Sequence, residues 1–337
     1  MPVTLLQGTD LPYNIFSTLG EYGLPILAFL TYEDGNAFRA TCKEARTAVA
    51  EYKWMDSETH INRSLSLWRT CFRNAKAANI CGRDDITDAD FVHLQGIQFL
   101  NMSFCNQNTI TDDAFAHLKG IHTLDMSYCR KITDDAFVHL KGIHTLYMSY
   151  CRKITDDAFV HLKGIHTLQM SKCNQATITD GAFVHLKGIH TLFMGGCDQT
   201  TITDGAFVHF KGIHTLYIGE CDQITITDAA FVHLKGIHTL YMERCNQATI
   251  TDAAFVHLKG IHTLDMERCN QATITDAAFV HLKGIYSLNM RYCNRAINMD
   301  AIFKYLKGIK YIHYKGIKYI HYDKDNDSEE EDSEEEE

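Results

Sequence analysis

The triplet Ile-Thr-Asp opens nine nearly identical stretches of this chain, at Ile86, Ile110, Ile132, Ile154, Ile178, Ile202, Ile226, Ile250 and Ile274, and a degenerate tenth begins at Ile297. Successive starts lie 22 to 24 residues apart. A unit that short cannot cover its own apolar face and must stack on its neighbours, so the period restricts the chain to a solenoid. Any site on such a chain is assembled from several copies of one unit.

A single copy reads as a helix followed by a strand. In the copy beginning at Ile110, Thr111 is placed to cap a helix, Asp112 and Asp113 fall in its first turn, and Lys119 with Gly120 closes it. Ala114, Phe115 and Leu118 share one face, which predicts about two turns of helix. Beyond Gly120 the period changes to two: Leu124 and Met126 point inward, while Thr123, Asp125 and Ser127 point outward.

The frame Ile121-x-x-Leu124-x-Met126-x-x-Cys129 resembles the leucine-rich repeat, and Cys129 followed by Ile-Thr-Asp resembles its cysteine-containing subtype. The resemblance runs from Ile86 to about Tyr314. It implies an α/β solenoid, a leucine-rich-repeat horseshoe with a parallel concave sheet and short convex helices. Strands spaced ~4.8 Å apart would give nine repeats a concave face on the order of 40 Å long, sized for a protein rather than a metabolite.

Comparing the copies with one another shows where the chain varies. The inward leucine is the same residue at Leu100, Leu124, Leu146, Leu168, Leu192, Leu216, Leu240, Leu264 and Leu288. The outward position after it reads Asn101, Asp125, Tyr147, Gln169, Phe193, Tyr217, Tyr241, Asp265 and Asn289. Two residues on, Ser103 and Ser127 give way to Gly195, Glu243, Glu267 and Arg291, and the next position mixes Phe104 and Tyr128 with Lys172, Glu220, Arg244 and Arg268. Solvated positions drift freely, yet the equally solvated helix surface scarcely varies. Aromatic anchors at Tyr147, Phe193, Tyr217 and Tyr241 with a rim of Glu243, Glu267, Arg244 and Arg268 have the composition of a protein interface. The variable face is therefore the expected partner-binding surface.

Twelve cysteines would suggest disulfides or metal, but nine recur once per unit, from Cys105 to Cys293, each just past the strand. Nine equivalent partners frustrate pairing, and no CxxC or CxxH pair is present to hold zinc. Of nineteen histidines, nine share the helix position of His93 and His117 and seven the position just before the strand, as in His122 and His144. They form columns rather than a converging cluster. Duplicated surface residues are the plain expectation, with a metal ladder or acid sensor as the alternative, since imidazole titrates at about pH 6.5. Asp, His, Thr and Cys recur at equal places in every unit, whereas an active site needs a constellation that occurs once. Neither an enzyme nor a cofactor is expected.

The last fifteen residues hold eleven acids and one lysine, or -10, which equals the net charge of the entire chain and leaves the remainder neutral. Such a run repels itself and does not pack. Ser328 and Ser333, each followed by acids, resemble sites for acid-directed casein-type kinases. The absence of a basic patch argues against nucleic acid, and no window approaches the ~20 apolar residues that span a bilayer. With no basic region leading into an apolar core at the N-terminus, a soluble cytoplasmic protein is expected, the nucleus being open as an alternative.

The N-terminal part does not repeat. Leu24-Pro25 is followed by Ile26, Leu27 and Leu30 at helical spacing, then an acidic turn, then Cys42-Lys43-Glu44-Ala45-Arg46. This outline resembles the F-box, departing from it in having Ala45 where Trp is usual and a longer spacing after Leu11-Pro12. The resemblance, seen with leucine-rich repeats in eukaryotes and in large DNA viruses of protists, implies a substrate receptor of a cullin-RING ubiquitin ligase. Leu24, Pro25, Ile26, Leu27, Leu30 and Cys42 would then face a Skp-family adaptor. The alternatives are a plain helical cap on the first repeat and a non-catalytic scaffold or host-interaction protein with no ubiquitin link. The expected order is a helical module over residues 1–55, a helical linker and cap over 56–85, repeats over 86–314, a capping strand over 315–322 and a disordered tail over 323–337. Within it, Lys-Gly-Ile-Lys-Tyr-Ile-His-Tyr occurs twice in tandem from Lys307, the second copy being either a strand that closes the open end or a slipped duplication.

Overall fold

A computed structural model describes residue 27 and residues 30–293, 298–314 and 317–320. The chain divides into two compact units, residues 1–147 and 148–337. The expectations for Leu24, Pro25 and Ile26 and for the acidic tail fall outside the described residues.

The first unit begins with α1 (Tyr32–Arg39), α2 (Lys43–Glu51) and α3 (Leu65–Cys71). Thr31 starts α1 through a reciprocal cap: its hydroxyl accepts from the Asp34 N–H, and the Asp34 carboxylate accepts from its own N–H. Tyr32 then packs into an aromatic cluster, its ring centre 4.6 Å from Phe72 and 5.7 Å from Trp68, with Trp54 5.3 Å from Phe72. The Tyr32 hydroxyl donates to the carbonyl of Ala77 at 2.5 Å, in the first strand. The cluster joins side chains from both sides of position 55.

Four parallel strands follow, β1 (Ala77–Asn79), β2 (Phe99–Asn101), β3 (Thr123–Asp125) and β4 (Thr145–Tyr147). Their register puts Ala78, Leu100, Leu124 and Leu146 side by side. The segment expected to be a linker thus carries a strand as well as a helix. In this unit zero, Ala78 stands where the leucine would be, Ile80 where the methionine would be, and Arg83 where the cysteine would be.

The second unit continues the pattern with β5 (Thr167–Gln169), β6 (Thr191–Phe193), β7 (Thr215–Tyr217), β8 (Thr239–Tyr241), β9 (Thr263–Asp265), β10 (Ser287–Asn289) and β11 (Tyr311–Tyr314), all parallel. β12 (Ile317–Ile320) reverses and pairs antiparallel with β11. Leucine stacks on leucine from Leu168 to Leu288, with Ile312 after it. The Ile, Ala, Phe, Leu, Met and Cys columns are buried throughout both units. Truncating a core leucine or phenylalanine to Ala in such packing costs about 2–5 kcal/mol.

The helical part of each repeat is tighter than expected. In the first unit Asp112–Leu118 and Asp134–Leu140 are three-residue-per-turn helices, and in the second a single α-turn such as Asp204–Phe207 passes into a tighter turn at Val208–Phe210. Few residues remain once the strand and two corners are subtracted from each repeat, so the polypeptide covers the distance with the steeper helix. A glycine at φ 78 to 86° ends every turn, preceded by Lys in every copy but the first, where Gln95 stands.

Candidate functional site: the outer face of the strands

Each strand exposes one side chain between two buried ones, and the site follows from what that side chain is. Asn101, Asp125 and Tyr147 occupy this position in the first unit, and Gln169, Phe193, Tyr217, Tyr241, Asp265 and Asn289 in the second, all half-buried. The expected column therefore exists within each unit, but its members do two different things. Asn101, Asp125, Asp265 and Asn289 fold back on their own turn: the side-chain oxygen of each accepts from the backbone N–H two residues on, at 2.9 to 3.2 Å. These four hold the chain's bend.

The aromatic members have no such duty. Phe193, Tyr217 and Tyr241 stand on adjacent strands with ring centres 6.0 Å apart at each step. Gly195 makes room for the middle ring, since a Cβ there would lie 2.0 Å from Tyr217 Cε1. Burial, then the nearby Glu243 and Glu220 carboxyl groups, push the ionisation of the Tyr217 hydroxyl upward. Burial, with Asp265 and Glu220 adding to it, also raises the Glu243 carboxyl above the usual range. In the first unit Phe104 stacks on Tyr128 at 4.2 Å, with the Arg130 guanidinium 5.8 Å from the Tyr128 ring.

A second row runs alongside. Phe104, Tyr128, Tyr150, Lys172, Glu220, Arg244, Arg268 and Tyr292 all adopt left-handed backbone, φ 56 to 62°, and Gly196 fills the same place once. An L-residue there costs about 1–2 kcal/mol relative to right-handed backbone, and the conformation turns these long side chains out over the strands. Glu220 pairs with Lys172 and, at 3.2 Å, with Arg244. Lys172 reaches Glu220 across an intervening repeat, and a Cβ on Gly196 would sit 2.3 Å from its Nζ. The ion pair holds Lys172 charged and keeps the Glu220 carboxyl below its ordinary range. Arg268 lies 3.7 Å from Glu267 and stacks 4.9 Å from the Tyr292 ring.

Reading one copy at a time hides two sets of contacts between copies. Asp112 does not simply face its own helix end: its carboxylate accepts from the Thr133 N–H at 2.8 Å and the Thr133 hydroxyl at 2.6 Å, in the next repeat. Asp180 with Thr203, Asp204 with Thr227 and Asp228 with Thr251 repeat the bridge. Gln175, Gln199 and Gln223, in the longer repeats, donate to the cysteine carbonyl of the preceding copy at 3.0 to 3.2 Å. The pairing of Thr and Asp once per period was the available signal for the first, and the two extra residues of the 24-residue copies for the second.

The cysteines behave as expected of structural thiols. None of the twelve is in a disulfide. Cys129, Cys173, Cys197 and Cys245 donate to a backbone carbonyl of the preceding repeat at 3.1 to 3.2 Å. Burial pushes the Cys105 thiol up to about 11 and the deeper ones further. Among the described residues no group of three His, Cys, Asp or Glu is placed to hold a metal ion, and no helix is long and apolar enough to cross a membrane. The histidines before the strands stack face to face, His166 to His262 with ring centres 4.4 to 4.5 or 4.6 Å apart, so their nitrogens lie in parallel planes rather than converging.

Of the residues expected to meet an adaptor, Leu27 is buried and Leu30 half-exposed. Cys42 caps α2, its sulfur accepting from the Ala45 N–H at 3.3 Å. Ala45 is fully buried, which leaves no space for the larger ring of the F-box pattern.

A family model for the BspA type leucine-rich repeat region matches six copies over residues 84–214 and 200–323. Among solved structures, the glycosylated Drosophila Toll–Spatzle complex is similar with a TM-score of 0.60 and 16% identity over 80% of this chain and 39% of that one. The TLR13–ssRNA13 complex is similar with a TM-score of 0.53 and 15% identity over 72% of this chain and 39% of that one. This chain therefore spans about two fifths of those structures, and at such identity the likeness concerns the fold alone. No curated protein sequence matches the chain.

Proposed function

This chain belongs to the BspA-type leucine-rich repeat family, and from that premise we propose that it is a protein-binding scaffold whose second unit grips its partner through Phe193, Tyr217 and Tyr241. One observation carries the reading: three adjacent rings stand at the one strand position where the Asn and Asp members are committed to their own turns. Rigid aromatic side chains beside charged ones supply contact area at low entropic cost. The charges on this face are largely paired with one another, Lys172 and Arg244 with Glu220. That arrangement offers no basic field for a phosphate backbone. The solved Toll structure is likewise a complex with a protein, Spatzle. Replacing Tyr217 and Tyr241 together by Ala is expected to abolish co-purification of the partner with unchanged circular dichroism; equal recovery by mutant and parent would remove the reading.

The finer proposal makes the scaffold a substrate receptor of a cullin-RING ubiquitin ligase. It is supported by the Leu24-Pro25-Ile26-Leu27 and Cys42-Lys43 outline, which resembles the F-box that docks a Skp-family adaptor. A cytoplasmic, reducing setting goes with it, in keeping with twelve cysteines outside any disulfide. A second reading, a scaffold with no ubiquitin link, is favoured by the packing of Tyr32 on Trp68 and Phe72 and its hydrogen bond to Ala77, by which α1 closes the end of the first unit. Pull-down with a purified Skp-family adaptor separates them. Removing residues 1–26 spares the Tyr32 cluster, so the receptor reading requires capture by the full chain and loss of capture by the shortened one. No capture by either leaves the scaffold.

A further inference from the structure

Helix turns into strand through Lys-Gly-Ile followed by His, Tyr or Lys in every repeat after the first, which has Gln95-Gly96-Ile97-Gln98. In the second unit this places Lys163, Lys187, Lys211, Lys235, Lys259, Lys283 and Lys307 at equivalent corners on one edge, every one of them exposed. None of the seven forms an ion pair among the described residues. The acid that recurs in the same repeats, Asp180, Asp204, Asp228 and Asp252, sits at the other end of the helical turn and is committed to the threonine of the next copy. Charge is thus segregated within each repeat, and stacking turns the segregation into a line of cations. Three residues beyond the lysines, the stacked histidine rings show that successive corners advance by only 4.4 to 4.6 Å. A row of like charges at that pitch is a receptor for a linear polyanion.

β12 indicates which polyanion. Parallel strands all leave the sheet at the edge away from the lysines, and a chain ending with β11 would do the same. β12 instead runs back, pairing Ile320 with Tyr311, at the end of the strand where the Lys-Gly-Ile corners enter. Lys310 marks the spot, its Nζ 5.5 Å from the ring centres of both Tyr286 and Tyr311, and Tyr286 is the last ring of the histidine stack. Three positions after Ile320 begins the segment 323–337, with eleven acids and one lysine. Fifteen residues reach at most about 50 Å, and seven corners at about 4.8 Å per repeat span about 29 Å. Origin, length and charge all match.

We propose that residues 323–337 lie along the lysine row of the same chain, starting beside Lys307 and running toward Lys163, where they neutralise the row and keep other polyanions off it. The inference is independent of what binds the strand face. It is tested on the full chain by zero-length carbodiimide crosslinking in a dilute mixture of 15N-labelled and unlabelled protein. Tail carboxylates are expected to join Lys259, Lys283 and Lys307 within one isotopic chain. Crosslinks that mainly join differently labelled chains, or that reach Lys43 and Lys53 in equal yield, overturn it. In parallel, acylation of Lys235, Lys259 and Lys283 is followed by mass spectrometry in the full chain and in a chain ending at Tyr322. Several-fold slower acylation with the tail present, erased by concentrated salt, is the expected result. Equal rates overturn the proposal, as does protection that appears only on adding a single-stranded oligonucleotide and is the same with and without the tail.

Discussion

Arg244 shows how much backbone decides at the level of one residue. Its φ of 56° is a conformation that glycine enters freely and a β-branched residue enters at high cost. Arg244→Val is therefore expected to lower stability by about 1–2 kcal/mol, while Arg244→Gly is expected to lose no more than the exposed pairing with Glu220, which is worth about 0–1 kcal/mol. Urea midpoints with unchanged slopes would show it; equal losses for the two variants would mean that the strain is absent. This column was half legible in the sequence. Its variability and its aromatic and charged content could be read by comparing copies, but the left-handed backbone could not, because Gly196 is the one copy in which the residue type betrays it. Leu, Met and Cys were legible because burial at alternate positions leaves a period-two trace. A thiol reagent makes the same distinction by exposure: half-buried Cys42 and Cys81 are expected to react in the native protein, and Cys129, Cys173 and Cys197, all buried, only on unfolding. Reaction of the buried set at the rate of Cys42 would refute the packing.

Repeats are joined at the level of elements by side chains that look local. Asp228 accepts from both the N–H and the hydroxyl of Thr251 at 2.7 Å, a two-point bond to a carboxylate, partly shielded from water. Asp228→Ala is expected to cost about 2 kcal/mol, the scale of losing hydrogen bonds to a charged group. Native-state hydrogen exchange should place the effect at the Thr251 amide first. Unchanged stability would reduce the bridge to decoration. The sequence suggested a different task for this aspartate, the positive end of its own helix. A single turn has little dipole to answer, so the acid serves the neighbouring unit instead. The same blindness to neighbours hid β1. Ala78, Ile80 and Arg83 spell no recognisable repeat, yet Ala78 is in register with Leu100, and the Arg83 guanidinium, donating to the carbonyls of Ile61 and Arg63 at 2.8 and 2.7 Å, occupies the corner where later copies use cysteine. Stacking on a good repeat rescues a poor one, which no property of the poor one announces.

Across the whole molecule, repetition turns a weak residue property into a collective one. One exposed imidazole barely affects folding, but in the second unit five are stacked and end on Tyr286, so that each inner ring lies between two others. At His190 partial desolvation, then the neighbouring His166 and His214, hold the pKa below its ordinary value. The sign follows from which state takes the proton first. Unfolded histidine protonates near pH 6.5, the stacked one only at lower pH, so stability is complete above that value and falls as the pH drops through it toward the depressed folded pKa. Glu243 acts in the opposite sense. Burial raises its carboxyl, so the folded state binds that proton more readily and gains on acidification through the carboxylate range. Glu243→Gln removes this opposing contribution, and in that background the melting temperature is expected to fall by several degrees between pH 7.5 and 5.5. His190→Gln with His214→Gln should flatten the profile, because the glutamines cannot charge. A Glu243→Gln profile already flat over that interval would mean that the stacked rings protonate as freely as isolated ones, and that their column is a record of duplication without energetic consequence.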